Sequence, residues 1–195
     1  MDCLNIAKES LKKYYGLDLK LDGSNCVDVC FDFLNASRVV FSKNVWEKLQ
    51  NIMITTQVDT KEIGFLLVGK EFLPNQVYFN EVILSDAPLK SNVADFGKEI
   101  TSFLKTMIEE NLDVRTVIAH GHSHPNISEF YQNFSLSDLA GYVELTFSVE
   151  DFRLKNMQLV GCLVLPEGEV KFAYFNPDDN KFYAFESVEI ETDEK

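Results

Sequence analysis

The sequence predicts an α/β (α+β) domain built on one mixed, largely antiparallel β-sheet flanked by helices. Three observations carry that expectation. Short apolar runs of strand length alternate with longer stretches whose apolar residues recur every three or four positions. Near the C-terminus three such runs are divided by Pro166, Glu167, Gly168 and by Asn176, Pro177, Asp178, which is the turn chemistry of a meander. A chain of 195 residues, 46% hydrophobic and 25% charged, can bury one real core, and it contains no internal repeat or low-complexity tract.

Taken in order, Leu4, Ala7, Leu11 and Tyr14 lie at helical spacing, so residues 1–15 are expected to form an amphipathic helix packed on the body. Residues 17–23 are a break, and 26–34 read as a strand. Val39 to Phe41 is a short strand, after which Ser42 opens a helix with Val45, Leu49, Ile52 and Met53 inward. The run from Glu62 to Val68 is a strand closed by Gly69; Pro74 and Asn75 turn the chain into a strand over 77–84. Residues 85–92 are loop. Val93, Phe96, Ile100, Phe103, Met107 and Ile108 mark a long amphipathic helix. Thr116, Val117, Ile118 and Ala119 form a buried strand that continues into the histidines. Leu139, Tyr142, Val143 and Phe147 mark another helix, and the meander occupies 158–165, 170–175 and 182–190.

Charge and composition exclude several classes. With 18 basic against 31 acidic residues, a phosphate-backbone partner is not expected, because nucleic-acid binding needs a concentrated cationic face. No apolar run is long enough for a bilayer and residues 1–10 carry no signal-like stretch, so a cytoplasmic protein without membrane contact is expected. Cys3, Cys26, Cys30 and Cys162 form no CxxC pair and read as reduced structural thiols. An HExxH helix is absent, GHSHP at 121–125 is not a GxSxG elbow, and three histidines are too few for a multi-metal phosphoesterase.

All three histidines fall within one stretch: His120, His122 and His124, followed by Pro125, a loop, and Ser135, Leu136, Ser137, Asp138. On a strand the side-chain period of two places His122 and His124 on one face, where both rings reach a single ion. His120 shares that parity, so a register using His120 and His122 is geometrically open as well. Ser135 followed three residues later by an acid reads as a helix start, with Ser135 as cap and Asp138 in the first turn, where the helix dipole favours an ionised carboxylate. Two imidazoles and one carboxylate around a tetrahedral Zn2+ leave a fourth position for water, the mark of a catalytic zinc site.

His122, Ser123, His124, Pro125 with Ser135 and Asp138 resemble the signature of the JAB/MPN (JAMM) metalloproteases, whose best known members are zinc-dependent isopeptidases acting on ubiquitin or ubiquitin-like conjugates. That pattern includes an upstream glutamate opening an apolar strand that ends in glycine, matched here by Glu62 and Gly69. The match covers about residues 38–174. It departs at two points: the loop between His124 and Ser135 is about three residues longer, and Phe65 stands where the family has glycine, with Gly64 one place earlier. The resemblance implies a JAB/MPN (cytidine-deaminase-like) domain over 37–190 and says nothing of the N-terminal part; the helix/strand extension over 1–36 is read from apolar spacing, and residues 191–195 read as an acidic tail.

The resemblance selects the register in which His122, His124 and Asp138 hold Zn2+ and His120 is a neighbour. It implies that Glu62 serves as general base and then acid, and that Ser135 donates to the oxyanion. The expected function is therefore a zinc-dependent deubiquitinase-like isopeptidase, with ubiquitin or a ubiquitin-like protein as substrate partner. The alternatives are a JAB peptidase acting on an unrelated peptide or a sulfur-carrier precursor, and a metal-free MPN scaffold. Retention of Glu62, both histidines, Ser135 and Asp138 together weighs against the scaffold.

Overall fold

The structure, a computed structural model, describes residues 1–22, 27, 30–35, 37–73, 75–85, 116–125, 132–151 and 157–192. The helix expected over 93–108 and most of the loop between Pro125 and Ser135 lie outside the described residues. Helix α1 spans Cys3–Tyr15, capped by the Asp2 side chain, which accepts from the Asn5 amide, and ended by Gly16 at φ 70°. Helix α2 spans Lys43–Asp59, and the Ser42 hydroxyl accepts from the Val45 amide at its start. Helix α3 spans Leu136–Asp151.

The strands are β1 Asp32–Phe33, β2 Arg38–Phe41, β3 Gly64–Leu73, β4 Gln76–Leu84, β5 Thr116–Ser123, β6 Met157–Val164, β7 Val170–Asn176, β8 Lys181–Ala184 and β9 Ser187–Ile190. They form one mixed sheet in the order β1-β8-β7-β6-β5-β3-β4-β2-β9. The expected largely antiparallel sheet is corrected to an evenly mixed one: four of the eight pairings are antiparallel, and β1–β8, β2–β4, β2–β9 and β5–β6 are parallel. The β5 to β6 connection carries α3, as a parallel pair requires a crossover.

Three strand expectations change. The run over 182–190 is two strands, because Phe185 turns into the core and the Glu186 amide bonds to the Ser37 carbonyl at 3.0 Å, sending β9 to β2 at the far end of the sheet. Of the strand expected over 26–34, the described residues show only β1. There Val27 is buried and donates to the Phe134 carbonyl at 2.8 Å. The third run also proves longer than expected, since β3 continues past Gly69 through a bulge between Val68 and Gly69.

Because β8 is followed directly by β9, and β1 closely by β2, the sheet must curl until its ends approach. Leu34 bonds to the Ala184 carbonyl at 2.9 Å, and Ser37 receives the amides of Glu186 and Ser187. The concave side is filled by Phe41, Phe79, Phe172 and Phe185, with Phe79 and Phe172 stacked at 5.9 Å and 5°. Val45, Leu49, Ile52 and Met53 of α2 close that core. On the other face α1 and α3 pack Ala7, Leu11, Leu139 and Val143 against Leu163, Ala173, Phe175 and Phe182. A fully buried leucine such as Leu11 contributes roughly 1.5–3 kcal/mol. The edge residue Asp32 pairs with Lys181, and Tyr15 donates to the Phe182 carbonyl, so α1 is tied to the meander.

Two glycines of the central strands admit rings from opposite faces. Phe65 lies opposite Gly121 in the β3–β5 ladder and its ring occupies the space a Gly121 side chain would need. On the α3 face the Tyr142 ring fills the space beside Gly161 in the same way. Gly161→Ala is therefore expected to destabilise the fold by about 1–3 kcal/mol through overpacking, lowering the thermal midpoint by several degrees. An unchanged midpoint in a thermal melt would show that Tyr142 is not held against β6.

Candidate metal centre

The histidine strand is central in the sheet, hydrogen-bonded to β3 on one side and β6 on the other. Val117 and Ala119 face the α2 core, so His120 and His122 face α3, as the two-residue period requires. His124 follows the strand's end, where its amide donates to the Val164 carbonyl at 3.1 Å and extends the run by one rung. His122 and His124 are both buried, 4% exposed each, with ring centroids 4.8 Å apart.

Asp138 reaches them from the first turn of α3. The turn is a capping box: the Ser135 hydroxyl accepts from the Asp138 amide at 3.1 Å, and the Ser135 amide donates to Asp138 Oδ2 at 2.7 Å. The Ser135 hydroxyl also donates to Oδ2 at 2.8 Å, so its one proton is engaged there. Leu139 donates to the Ser135 carbonyl as the first helical bond.

The separations suit a small cation. His122 Nε2 lies 3.0 Å from His124 Nε2 and 3.5 Å from Asp138 Oδ2, and His124 Nε2 lies 4.0 Å from Oδ2. Tetrahedral ligands about 2.05 Å from zinc stand about 3.3 Å apart, and the observed spread brackets that value. Among the described residues these three form the one group of histidine, cysteine and acidic side chains whose ligand atoms converge, all within 4.8 Å. His120 is not among them. Its ring meets Tyr142 edge-on at 6.2 Å, and burial, with His122 beside it, pushes its pKa down to about 3, so it is a neutral imidazole.

Glu62 lies two residues before β3. Gly64 pairs with His122 as the last rung of the ladder, and beyond it the Ser123 amide donates to the Ile63 carbonyl at 3.1 Å. Glu62 is 7% exposed, and its charge reaches His122. Burial pushes the His122 ring down. The charge and hydrogen bond of Asp138 and the charge of Glu62 outweigh it, and the net pKa is raised above the ordinary value. Burial pushes the Asp138 carboxyl up, but His122, the Ser135 amide and His124 hold it well below the usual carboxylate range.

The sign for metal binding follows. A metal binds the neutral ring, so the proton that His122 retains to a higher pH than usual must leave, while Asp138 stays ionised throughout. Affinity for Zn2+ is expected to fall as pH drops through the raised His122 pKa, by roughly tenfold per unit for each proton displaced. Competition against a chromophoric chelator measures it, and a flat profile would contradict the ligand assignment.

Two further residues at the site escaped the sequence reading. Ser123, between the histidines, points to the opposite face, where its hydroxyl lies 2.5 Å from that of Thr56 on α2; both are fully buried. The signal available was parity alone: a serine facing the core of a buried strand needs a partner. Thr56 merely continues the inward series Leu49, Ile52, Met53 of α2.

Comparison of the chain with protein-family models finds no match, and comparison with curated proteins finds none. No described helix is long and apolar enough to cross a membrane.

Proposed function

We propose that the chain is a zinc-dependent peptidase or isopeptidase of the JAB/MPN kind that hydrolyses the bond after the C-terminus of ubiquitin or a ubiquitin-like protein. One observation carries the reading: His122, His124 and Asp138 converge within 4.8 Å, and the charge of the buried Glu62 reaches His122. Three ligands with a buried acid beside them form the donor set of a hydrolytic rather than a structural metal site, which uses four protein ligands. Bound zinc supplies Lewis acidity, bringing the pKa of water to about 7.

Glu62 then takes the proton of the attacking water at its carboxylate and returns it to the departing amine. Asp138 holds its orientation through the Ser135 amide. Donation from Ser135 to the oxyanion requires its hydroxyl to swing away from Asp138 Oδ2, which the amide bond permits without freeing the carboxylate. The thiols of Cys3, Cys30 and Cys162 are free, which suits a cytoplasmic setting.

The test is metal analysis of the purified protein together with hydrolysis of a panel of ubiquitin and ubiquitin-like C-terminal conjugates. About one zinc per chain and cleavage of a panel member are expected. Zinc without any cleavage would move the substrate to another peptide, and no metal would return the chain to the scaffold reading.

A further inference from the structure

The bonding next to Glu62, where Ile63 meets Ser123, is not that of an ordinary rung. The Ser123 amide donates to the Ile63 carbonyl, as in any antiparallel ladder, but the Ile63 amide donates to the Ser123 hydroxyl at 3.0 Å. The side chain thus stands in for a backbone acceptor at the point where β3 begins, one residue after Glu62. That hydroxyl is in turn 2.5 Å from the Thr56 hydroxyl of α2, with both residues fully buried. A serine hydroxyl has one proton and two lone pairs, so it can accept from Ile63 and share a proton with Thr56 at once. Three elements, α2, β3 and β5, meet on this one oxygen. It sits between the two histidines, on the other face of the same strand.

We propose that Ser123 and Thr56 are positioning residues, a buried hydroxyl pair that fixes the Ile63 amide and thereby holds the Glu62 carboxylate at the metal centre. The inference rests on the peptidase reading for its consequence but not for its geometry. Neither hydroxyl bonds to His122, His124 or Asp138. A buried amide deprived of its acceptor carries a desolvation penalty, and the chain at Glu62 relaxes to relieve it. A displacement of about 1 Å in a catalytic group is enough to slow a reaction roughly a hundredfold.

The experiment compares Ser123→Ala, Ser123→Thr and Thr56→Val with wild type by amide hydrogen exchange, Co2+ affinity and turnover on a conjugate that wild type cleaves. In Ser123→Ala the Ile63 amide is expected to exchange about tenfold faster, with the Leu67 amide in mid-β3 as an unchanged control. Co2+ affinity stays within about threefold, because the three ligands keep their own supports, and kcat falls between about tenfold and a hundredfold at constant KM. Ser123→Thr restores exchange and kcat. Thr56→Val keeps the branched shape and gives a smaller change of the same sign, which serves if the alanine variant folds poorly. Unchanged Ile63 exchange overturns the proposal, as does faster exchange with full kcat. If wild type cleaves no conjugate, the ubiquitin-like substrate reading fails and the Ile63 exchange alone decides whether the clamp exists.

Discussion

Glu62→Gln is expected to lower turnover by about a thousandfold while the protein keeps its zinc, since general acid–base groups contribute typically 10²–10⁴-fold. The substitution preserves shape and hydrogen-bonding capacity in a position that is 7% exposed, and removes only the ability to take and return a proton. The charge of Glu62 reaches His122, and Glu62 is not one of the three converging ligands. Metal content should therefore be unchanged within error, and KM should move little because the carboxylate acts on the proton rather than on the bulk of the substrate. Loss of zinc together with activity would make Glu62 a ligand. Retention of more than a tenth of the activity would remove it from the mechanism.

Asp138→Asn is expected to weaken zinc binding by more than about a hundredfold, the upper end seen for loss of a mere outer partner of a metal ligand. The amide is nearly isosteric and the Ser135 amide can still donate to its oxygen, so α3 keeps its first turn. What disappears is the negative charge that lies 3.5 and 4.0 Å from the two imidazoles. The same charge holds the His122 pKa up against burial, so the variant's His122 ring is expected to titrate lower in the metal-free protein, visible in its imidazole NMR signals. Zinc affinity equal to wild type would exclude Asp138 from the site.

Much of the site could be read from residue order because its chemistry is local. The parity of His122 and His124 is a property of any strand, and Ser135 with Asp138 is a helix start wherever it occurs. Neither depends on what lies across the sheet. Glu62 differs, since it is sixty residues from His122 and nothing in its own neighbourhood announces a ligand set. The resemblance named it, and its approach to His122 comes from the tertiary structure. The Ser123–Thr56 contact was illegible for the same reason in stronger form, because a helix and a strand far apart in sequence meet only after the sheet has closed on α2.

The fold divides in the same way. Helices α1 and α2 follow from periodicity and caps, and the hairpin from β6 to β7 follows from its Pro166–Gly168 turn, because these signals lie within a few residues of one another. The split of the last run into β8 and β9 was not readable. Phe185 leaves the strand only because Phe172 and the curled sheet offer it a pocket, and β9 finds β2 only because Ser37 meets the turn after β8. The sequence by itself determined the helices α1, α2 and α3, most of the strands and which side chains can bind a cation, since these are set by short-range periodicity and functional-group chemistry. Only the tertiary structure decided the strand order, the balance of parallel and antiparallel pairs, and the approach of Glu62 and Thr56 to the histidine strand, because those depend on long-range contacts that form when the sheet buries its two faces.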